Sequence, residues 1–440
     1  MRIGTSHILL LLIIAWAGGG NAQVTSADST LLPPVFTEYG VQFGTGSALV
    51  GDSIVTFTEA LQMVLATHPD ISGARAQVAS AWGRLQQSRS QPNPQLSIDL
   101  EDFGRKGASS PAQTTFGVEQ PIELFGKRSG RRAVAEAELT SQKYAAQQTM
   151  LDLYRSTSIA FVTALGSQTS VQIFRQRLEL AMKFEEAVGV KVTDGAVSKA
   201  ELLRAQSASR LAEIDLSSAE AIARQDRLAL SALWSSSESN FRLEGSLEDL
   251  LVNIPDDTQL SLDDNPELKS LQEQIKVREA DINLARSMGK PDISVGAGYR
   301  RLHDEGSNSY LVWTSIPLPI FNRNRGSVAE ATANVDLARA ELASTRQRLE
   351  SRLRQLTISL TVRRNQIAEL REKVVPPAKQ AMEDIDMAYR MGSQPYINVL
   401  DAQRTLFELE GEVIDALVAG AQATVEIEQL LGHRLNPVRR

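Results

Sequence analysis

The 440-residue chain contains no cysteine and only four histidines. The lack of cysteine excludes a disulfide framework, a thiolate metal site and a lipid anchor on a cysteine. His68, His303 and His433 stand far apart in the sequence, whereas a metal site generally needs three or four converging ligands. No catalytic triad or phosphate-binding loop is recognisable either. The sequence therefore predicts no metal site, no cofactor and no enzymatic activity.

Long hydrophobic runs are also scarce. The run ILLLLIIAWA lies within residues 1–22, after Arg2 and before small residues that end at Ala22, which is the layout of a secretory signal peptide. No later stretch approaches the roughly 20 apolar residues that a membrane-spanning helix needs. If the exported chain enters a membrane, it must do so as strands. The formal net charge of −7 argues against a nucleic-acid partner.

The chain repeats itself at an interval of 196 or 197 positions. The paired landmarks are His68-Pro69 with Asn265-Pro266, Pro94 with Pro291, Pro121 with Pro317, Phe125 with Phe321, Gly130 with Gly326, Gly195 with Gly392, Ala205-Gln206 with Ala402-Gln403, and Leu233 with Leu430. We interpret the pattern as a tandem duplication. The predicted segments are an N-terminal extension (23–56), a first repeat (57–241), an acidic linker (242–259), a second repeat (260–433) and a C-terminal tail (434–440).

Each repeat reads as helix, strand, strand, long helix, helix. Strands are predicted at about 94–103 and 113–122, and at about 291–301 and 309–318, because apolar and polar residues alternate there with a period of two. In PQLSIDLED, for example, Leu96, Ile98 and Leu100 alternate with polar side chains. A length of about ten residues matches a membrane-spanning β-strand.

The helices are unusually long for a globular domain. No proline occurs between Gly130 and Gly195, and a single helix of that length would extend about 98 Å. The following helix in each repeat carries a heptad seam rich in Ala, Ser and Gly, which brings helices close together. Pro376-Pro377 should break or kink the equivalent rod of the second repeat. A soluble helical bundle would explain these helices but not the paired strands.

The four amphipathic strands cannot close a barrel alone, since the smallest barrels have about eight. Backbone groups in lipid must all be paired, so several chains would share one barrel. Each strand alone could instead be the edge of a soluble sheet, but the duplication and the export signal favour the membrane. The predicted fold is mainly α, with long helical hairpins and a small membrane β part.

A segment with a proline at the end of a predicted strand, then a phenylalanine and then basic residues, occurs once in each repeat. The two copies are VEQPIELFGKRSGRR and TSIPLPIFNRNRGSV. The prolines should end the strand ladder, the phenylalanines should lie at the lipid boundary, and the basic residues should face headgroups or the wet rim. The predicted junction residues are Pro121, Phe125, Lys127 and Arg128, and Pro317, Phe321, Arg323 and Arg325. A core role for the rings and a plain solvated charge run remain open.

Together these features make the chain resemble the TolC-like outer-membrane efflux proteins over nearly all its mature length. The phrase QPIELFGKRSGRRAVAEAEL looks most like the cobalt-zinc-cadmium branch of heavy-metal efflux components. AYRMGSQPYINVLDAQRTLFELE (388–410) is similar to the family's helix-turn-helix signature, and VKVTDGAVSKAELLRAQSASRL (190–211) is its partner turn.

The resemblance implies a homotrimer with a 12-stranded barrel in the outer membrane and a helical tunnel in the periplasm. It would be the exit duct of a tripartite pump, with a periplasmic adaptor and a proton-driven inner-membrane resistance-nodulation-division transporter. The residues implied at the adaptor contact are Asp194, Gly195, Gly392, Ser393 and Gln394. Asn398 and Asp401 would lie at the periplasmic aperture, although a solvated position beside the seam is the alternative for Asp401.

Two other functions stay open at this point. Within the channel class, the cargo could be a drug, another small molecule or a secreted polypeptide, since no residue in the sequence selects a metal. In a different class, the chain could be a soluble periplasmic coiled-coil adaptor whose strands form a small sheet.

Overall fold

The computed structural model of the chain describes residues 53–101, 112–251, 260–303 and 306–435. The predicted signal peptide lies outside these ranges. So do most of the N-terminal extension and of the C-terminal tail, and residues 252–259 of the acidic linker.

Helices make up most of the described chain. They are α1 (Phe57–Thr67), α2 (Pro69–Ser88), α3 (Lys127–Thr193), α4 (Lys199–Ala232), α5 (Pro266–Met288), α6 (Arg325–Glu369), α7 (Val375–Arg390) and α8 (Tyr396–Leu431). Among these described helices, none combines the length and the apolarity needed to cross a membrane.

Local sequence explains where the first helix of each repeat begins. The Thr56 side chain accepts a hydrogen bond from the Glu59 amide while the Glu59 carboxylate binds the Thr56 amide, which forms a capping box at the start of α1. At the equivalent starts of α2 and α5, His68 and Asn265 each cap a helix whose first residue is proline.

The helix α3 is a single uninterrupted rod of 67 residues, about 100 Å long. It packs against α2, α4, α5 and α8 and so holds both repeats together. The predicted small-residue seam of α4 faces inward. Its buried members are Ala205, Ser209, Ala212, Ala219 and Ala223.

The corresponding rod of the second repeat is not one continuous α-helix, but the irregularity lies just before Pro376-Pro377 and not at the prolines, where a break or kink was predicted. The α-helix α6 ends at Glu369, a π-helical turn follows at Leu370–Val374, and α7 begins at Val375 with the two prolines in its first turn. The chain stays helical throughout, but the hydrogen-bond pattern changes just before the prolines, because they cannot donate to the preceding turn.

Two β-sheets accompany the helices. The strands β1 (Ser53–Thr56) and β4 (Phe241–Glu244) form a two-stranded parallel sheet. The sequence pattern did not predict this pair, which lies in segments assigned to the extension and to the boundary between first repeat and linker. Val55, Phe241 and Leu243 are buried in the main hydrophobic core with α1 and α3.

The second sheet has four antiparallel strands, one hairpin from each repeat. Its strands are β2 (Gln95–Glu101), β3 (Gln113–Ile122), β5 (Ile293–Leu302) and β6 (Asn308–Ser315), in the order β2-β3-β5-β6. The two repeats meet at β3 and β5, where Ile122 pairs with Ile293 and Gln113 pairs with Leu302. Strands β2 and β6 form the two edges of this sheet.

Candidate functional sites: the amphipathic sheet and the helical tips

The four-stranded sheet has one apolar and one polar face, because side chains alternate along each strand. The apolar face carries Leu96, Ile98, Leu100, Phe116, Val118, Ala297, Tyr299, Tyr310 and Val312. These large side chains stay open in the single chain: Leu96 is 72% exposed and Tyr310 is 86% exposed. Such a contiguous apolar surface needs a non-aqueous neighbour, and lipid fits strands of this length.

The opposite, polar face carries Gln95, Ser97, Asp99, Glu101, Gln113, Thr115, Gly117, Glu119, Ser294, Gly296, Gly298, Arg300, Ser309, Leu311, Trp313 and Ser315. Sequence reasoning identified this face as polar but assigned no role to Glu119 or Trp313. Glycines at alternate positions on this face, Gly296 and Gly298, were an available signal that a bulky group lies over the strand.

The first junction between sheet and rod contains a tight turn, and its proline remains within the strand. Phe125 and Gly126 adopt positive φ angles of 55° and 79°, which turns the chain from β3 into α3. Pro121 does not end the strand: β3 continues to Ile122, and Pro121 pairs with Ser294. On the β2 side the ladder already stops at Glu119, so the proline faces no strand there that needs an amide donor.

Lys127 corrects the expectation that the basic residues of this junction face headgroups. It is only 6% exposed, and its Nζ lies 2.8 Å from Oδ2 of Asp292, whose Oδ1 also accepts the Leu124 amide at 3.1 Å. A buried ammonium requires such a partner, since an isolated charge would be costly to bury. The pair therefore joins the first junction to the start of β5 in the second repeat.

Other basic residues of the first junction are also paired, whereas Arg128 is exposed. Arg131 donates two hydrogen bonds to the Glu123 carboxylate, one of them 2.7 Å long. Arg132 pairs with Glu136 on the same helix at 2.7 Å. Arg128 and Arg132 retain the solvent-facing position predicted for the group, whereas Lys127 is buried and Arg131 is half-buried.

The second junction also enters its rod through a residue with positive φ, but only one, and its surroundings differ. Asn324 takes the left-handed conformation with φ 56°, and its side-chain amide donates to the Ala285 carbonyl at 2.7 Å. Phe321 is 99% exposed. Pro317, Arg323 and Arg325 are exposed too, and within the described ranges neither arginine has an ion-pair partner.

The two helical tips lie side by side, as the paired turns suggested. The turn after α3 contains Asp194 and Gly195, and the turn after α7 contains Gly392, Ser393 and Gln394; all five residues are exposed. Both glycines have positive φ, 68° and 79°. Lys191 joins the tips, because its Nζ donates to the Tyr389 carbonyl at 2.8 Å and lies 4.0 Å from the Tyr389 ring centre.

An aromatic cluster lies directly behind the tips. Phe184, Tyr389 and Tyr396 pack with ring centres 5.6 to 6.4 Å apart. Among the described residues, the hydroxyls of Tyr389 and Tyr396 have no hydrogen-bond partner. Burial raises the pKa of Tyr396 to about 12 and raises the pKa of Tyr389, so both phenols stay neutral.

Asn398 and Asp401 lie on the exposed side of α8, near the tip. Asn398 donates from its side-chain amide to Oε1 of Gln394 at 2.6 Å, and the Asp401 carbonyl accepts the Thr405 hydroxyl at 3.0 Å. The neighbouring seam residue Val399 is fully buried. The two polar residues therefore project away from the helix-packing side of α8.

The three described histidines lie in unrelated surroundings. His68 caps α2, His303 lies 2.9 Å from the Thr114 hydroxyl, and His433 lies near the Leu431 carbonyl. Among the described residues, no group of three or more potential ligands is arranged to hold a metal ion.

The comparisons with known proteins agree with this architecture. A family profile described as "Outer membrane efflux protein" matches residues 60–236 and 258–433. The chain is 29% identical to the cobalt-zinc-cadmium resistance protein CzcC of Cupriavidus metallidurans, over 96% of this chain and 98% of that protein. It is 25% identical to the nickel-cobalt-cadmium resistance protein NccC of Alcaligenes xylosoxydans xylosoxydans, over 65% of this chain and 66% of that protein.

Solved structures show the same fold. The structure of CusC, described in connection with transmembrane channel formation, superimposes with a TM-score of 0.75 at 17% identity. The match covers 92% of this chain and 97% of that one. Long helical hairpins joined to a small sheet are therefore the shared fold.

Proposed function

Because the chain belongs to the outer membrane efflux protein family, we propose that it forms the outer-membrane exit duct of a tripartite pump for heavy-metal cations. Proteins of this family are trimeric channels of the outer membrane that work with a periplasmic adaptor and an inner-membrane transporter. The cargo is proposed on one observation: the similarity to CzcC runs over nearly the whole of both chains. The duct itself performs no catalytic step.

The geometry supports a passive duct. The sheet offers lipid an apolar face and leaves its edges β2 and β6 open for neighbouring chains. The rods α3 and α6–α7 run from this sheet to the paired tips, so cargo would travel along their length. We infer that the exposed turn residues Asp194, Gly195, Gly392, Ser393 and Gln394 contact the adaptor, because they lie in the turns at the ends of the rods that begin at the sheet.

The cargo can be tested by deleting the gene in its host and measuring growth on zinc, cobalt, cadmium and copper salts, with complementation by the wild-type gene. We expect increased sensitivity to one or more of these cations and higher metal content in the deleted strain. Sensitivity confined to antibiotics or solvents would overturn the metal assignment and favour small-molecule export.

We also propose that Asp401 lines the closed periplasmic aperture, with Asn398 on the same face of α8. Three copies of one exposed carboxylate would attract cations by Coulomb forces that weaken as salt rises. In planar bilayers, D401N should reduce block by divalent cations. If D401N and the wild-type channel are blocked equally, Asp401 does not line the aperture.

A further inference from the structure

Trp313 occupies a cradle formed by three glycines on the polar face of the sheet. A Cβ atom added to Gly296 would lie 2.2 Å from the indole, one added to Gly117 would lie 2.8 Å from it, and one added to Gly298 would lie 3.1 Å from it. Real Cβ contacts are longer than the first two distances. The absence of side chains at these positions on β3 and β5 therefore lets the ring of a β6 residue lie over the adjacent strand β5 and reach β3 beyond it.

The indole is held in this position by a directed hydrogen bond. Trp313 Nε1 donates to Oε2 of Glu119 at 2.9 Å, although 194 positions separate the two residues. The Ser294 side chain lies on the same face and also interacts with the Glu119 carboxylate. Glu119 therefore has a fixed orientation on the polar face, which an unrestrained glutamate on a strand surface would lack.

The charges around Glu119 favour cations. On the polar face of the described strands, the carboxylates are Asp99, Glu101 and Glu119, whereas Arg300 is the one cationic side chain. Arg300 donates to the Thr115 hydroxyl at 3.0 Å, and Glu101 accepts from Gln113 at 2.7 Å. Glu119 lies nearest the rods, three positions before the end of β3.

We infer that Glu119 is a cation-selectivity residue of the outer-membrane pore and that Trp313, seated on Gly117, Gly296 and Gly298, is its positioning residue. The inference rests on the proposed function, because it requires three copies to close the sheet with the polar face inward. Three oriented carboxylates would then form a ring where the helical duct opens into the barrel. They would raise the local concentration of positively charged cargo.

The test is the cation-to-anion permeability ratio of single channels in bilayers, measured from reversal potentials across a KCl gradient. We expect E119Q to lower this ratio at least about twofold near 0.1 M salt, where the screening length is about 10 Å, and much less near 1 M, where it is about 3 Å. E119D keeps the charge and should retain most of the selectivity. E101Q is the matched control, because Glu101 lies at the opposite end of the sheet, next to bulk solution.

The role of Trp313 needs a separate readout. W313F removes the N–H donor but keeps a ring over the glycines, so the trimer should persist while the permeability ratio falls partway toward that of E119Q. If W313F leaves the ratio unchanged, the indole does not position Glu119.

The outcomes separate this inference from the proposed function. A wild-type protein that forms no pore overturns both. A pore whose selectivity is unaffected by E119Q, or equally affected by E101Q, overturns the assignment to Glu119 alone and leaves the duct intact.

Discussion

Tyr154 and Tyr396 are both buried, but their hydroxyl groups have different surroundings. The Tyr154 hydroxyl donates to Oε2 of Glu428 at 2.5 Å and so ties α3 to α8 in the core. The Tyr396 hydroxyl at the tip is without a hydrogen-bond partner in the described part of the chain. A buried polar group that lacks a partner is costly, so the Tyr396 hydroxyl is expected to destabilise the packing of the tip.

This difference predicts opposite effects for the same substitution. Y396F should leave the free energy of unfolding unchanged or raise it slightly, because it removes an unsatisfied hydroxyl. Y154F, the matched control, should lower it by about 1–3 kcal/mol, because the buried Glu428 carboxylate loses one of its hydrogen-bond donors. Denaturant titration of the detergent-solubilised protein measures both. Equal losses in the two variants would show that Tyr396 has a partner of its own.

At the scale of elements, the two rods differ most clearly. The rod of the first repeat is one continuous α-helix, whereas that of the second contains the π-helical turn Leu370–Val374 ahead of Pro376-Pro377. Arg371, in this π-helical turn, forms an ion pair with Glu248 in the segment that follows β4. The π-helical turn is therefore held against this segment by an ion pair.

Replacing both prolines with alanine should let the α-helical pattern continue through the turn. Ile358 and Met387 are exposed on either side of it, and a straight helix would separate them by about 44 Å. The chain has no cysteine, so spin labels can be attached to cysteines introduced at these two positions alone. When labelled chains are diluted with unlabelled ones, the measured distance is the one between the two labels of the same chain.

We expect P376A/P377A to shift the label distance toward the straight-helix value. P395A, which lies outside the labelled span, is the control and should leave the distance unchanged. An unaltered distance in the double variant would mean that the prolines do not cause the interruption.

At the scale of the whole molecule, the open edges of the sheet determine assembly. Strands β3 and β5 are paired on both sides within the chain, whereas β2 and β6 each have one free side in the described sheet. Unpaired backbone groups are not tolerated in lipid, so these edges must meet other copies.

Intermolecular crosslinking should therefore be confined to the edges. Chains with a cysteine at Leu100 on β2, mixed with chains carrying one at Val312 or Thr314 on β6, should form crosslinked species in detergent, and the native assembly should have the mass of three chains. The control mixes chains carrying a cysteine at Phe116 with chains carrying one at Tyr299. These positions pair with each other inside one chain, on the inner strands β3 and β5, so the two kinds of chain should not crosslink. A monomer in detergent would contradict the shared barrel.

The sequence predicted the elements more completely than their contacts. The pattern of period two placed a strand at about 113–122, where β3 lies, and the proline-free stretch from Gly130 predicted the rod α3. It extended the last strand to about 318, but β6 ends at Ser315. The roles proposed for the tip, aperture and junction residues remain predictions, since exposure alone does not assign them.

Periodicity, duplication and the turn residues are local properties, so the sequence by itself determined the helices, the amphipathic strands and the order of the two repeats. Contacts between distant segments were decided only by the tertiary structure. The pairing of β1 with β4, the burial of Lys127 against Asp292 and the contact of Trp313 with Gly117 and Glu119 each join residues more than 160 positions apart. Their stability depends on burial and hydrogen bonding that exist only once the chain has folded, and even the alternating glycines Gly296 and Gly298 do not identify the side chain that covers them.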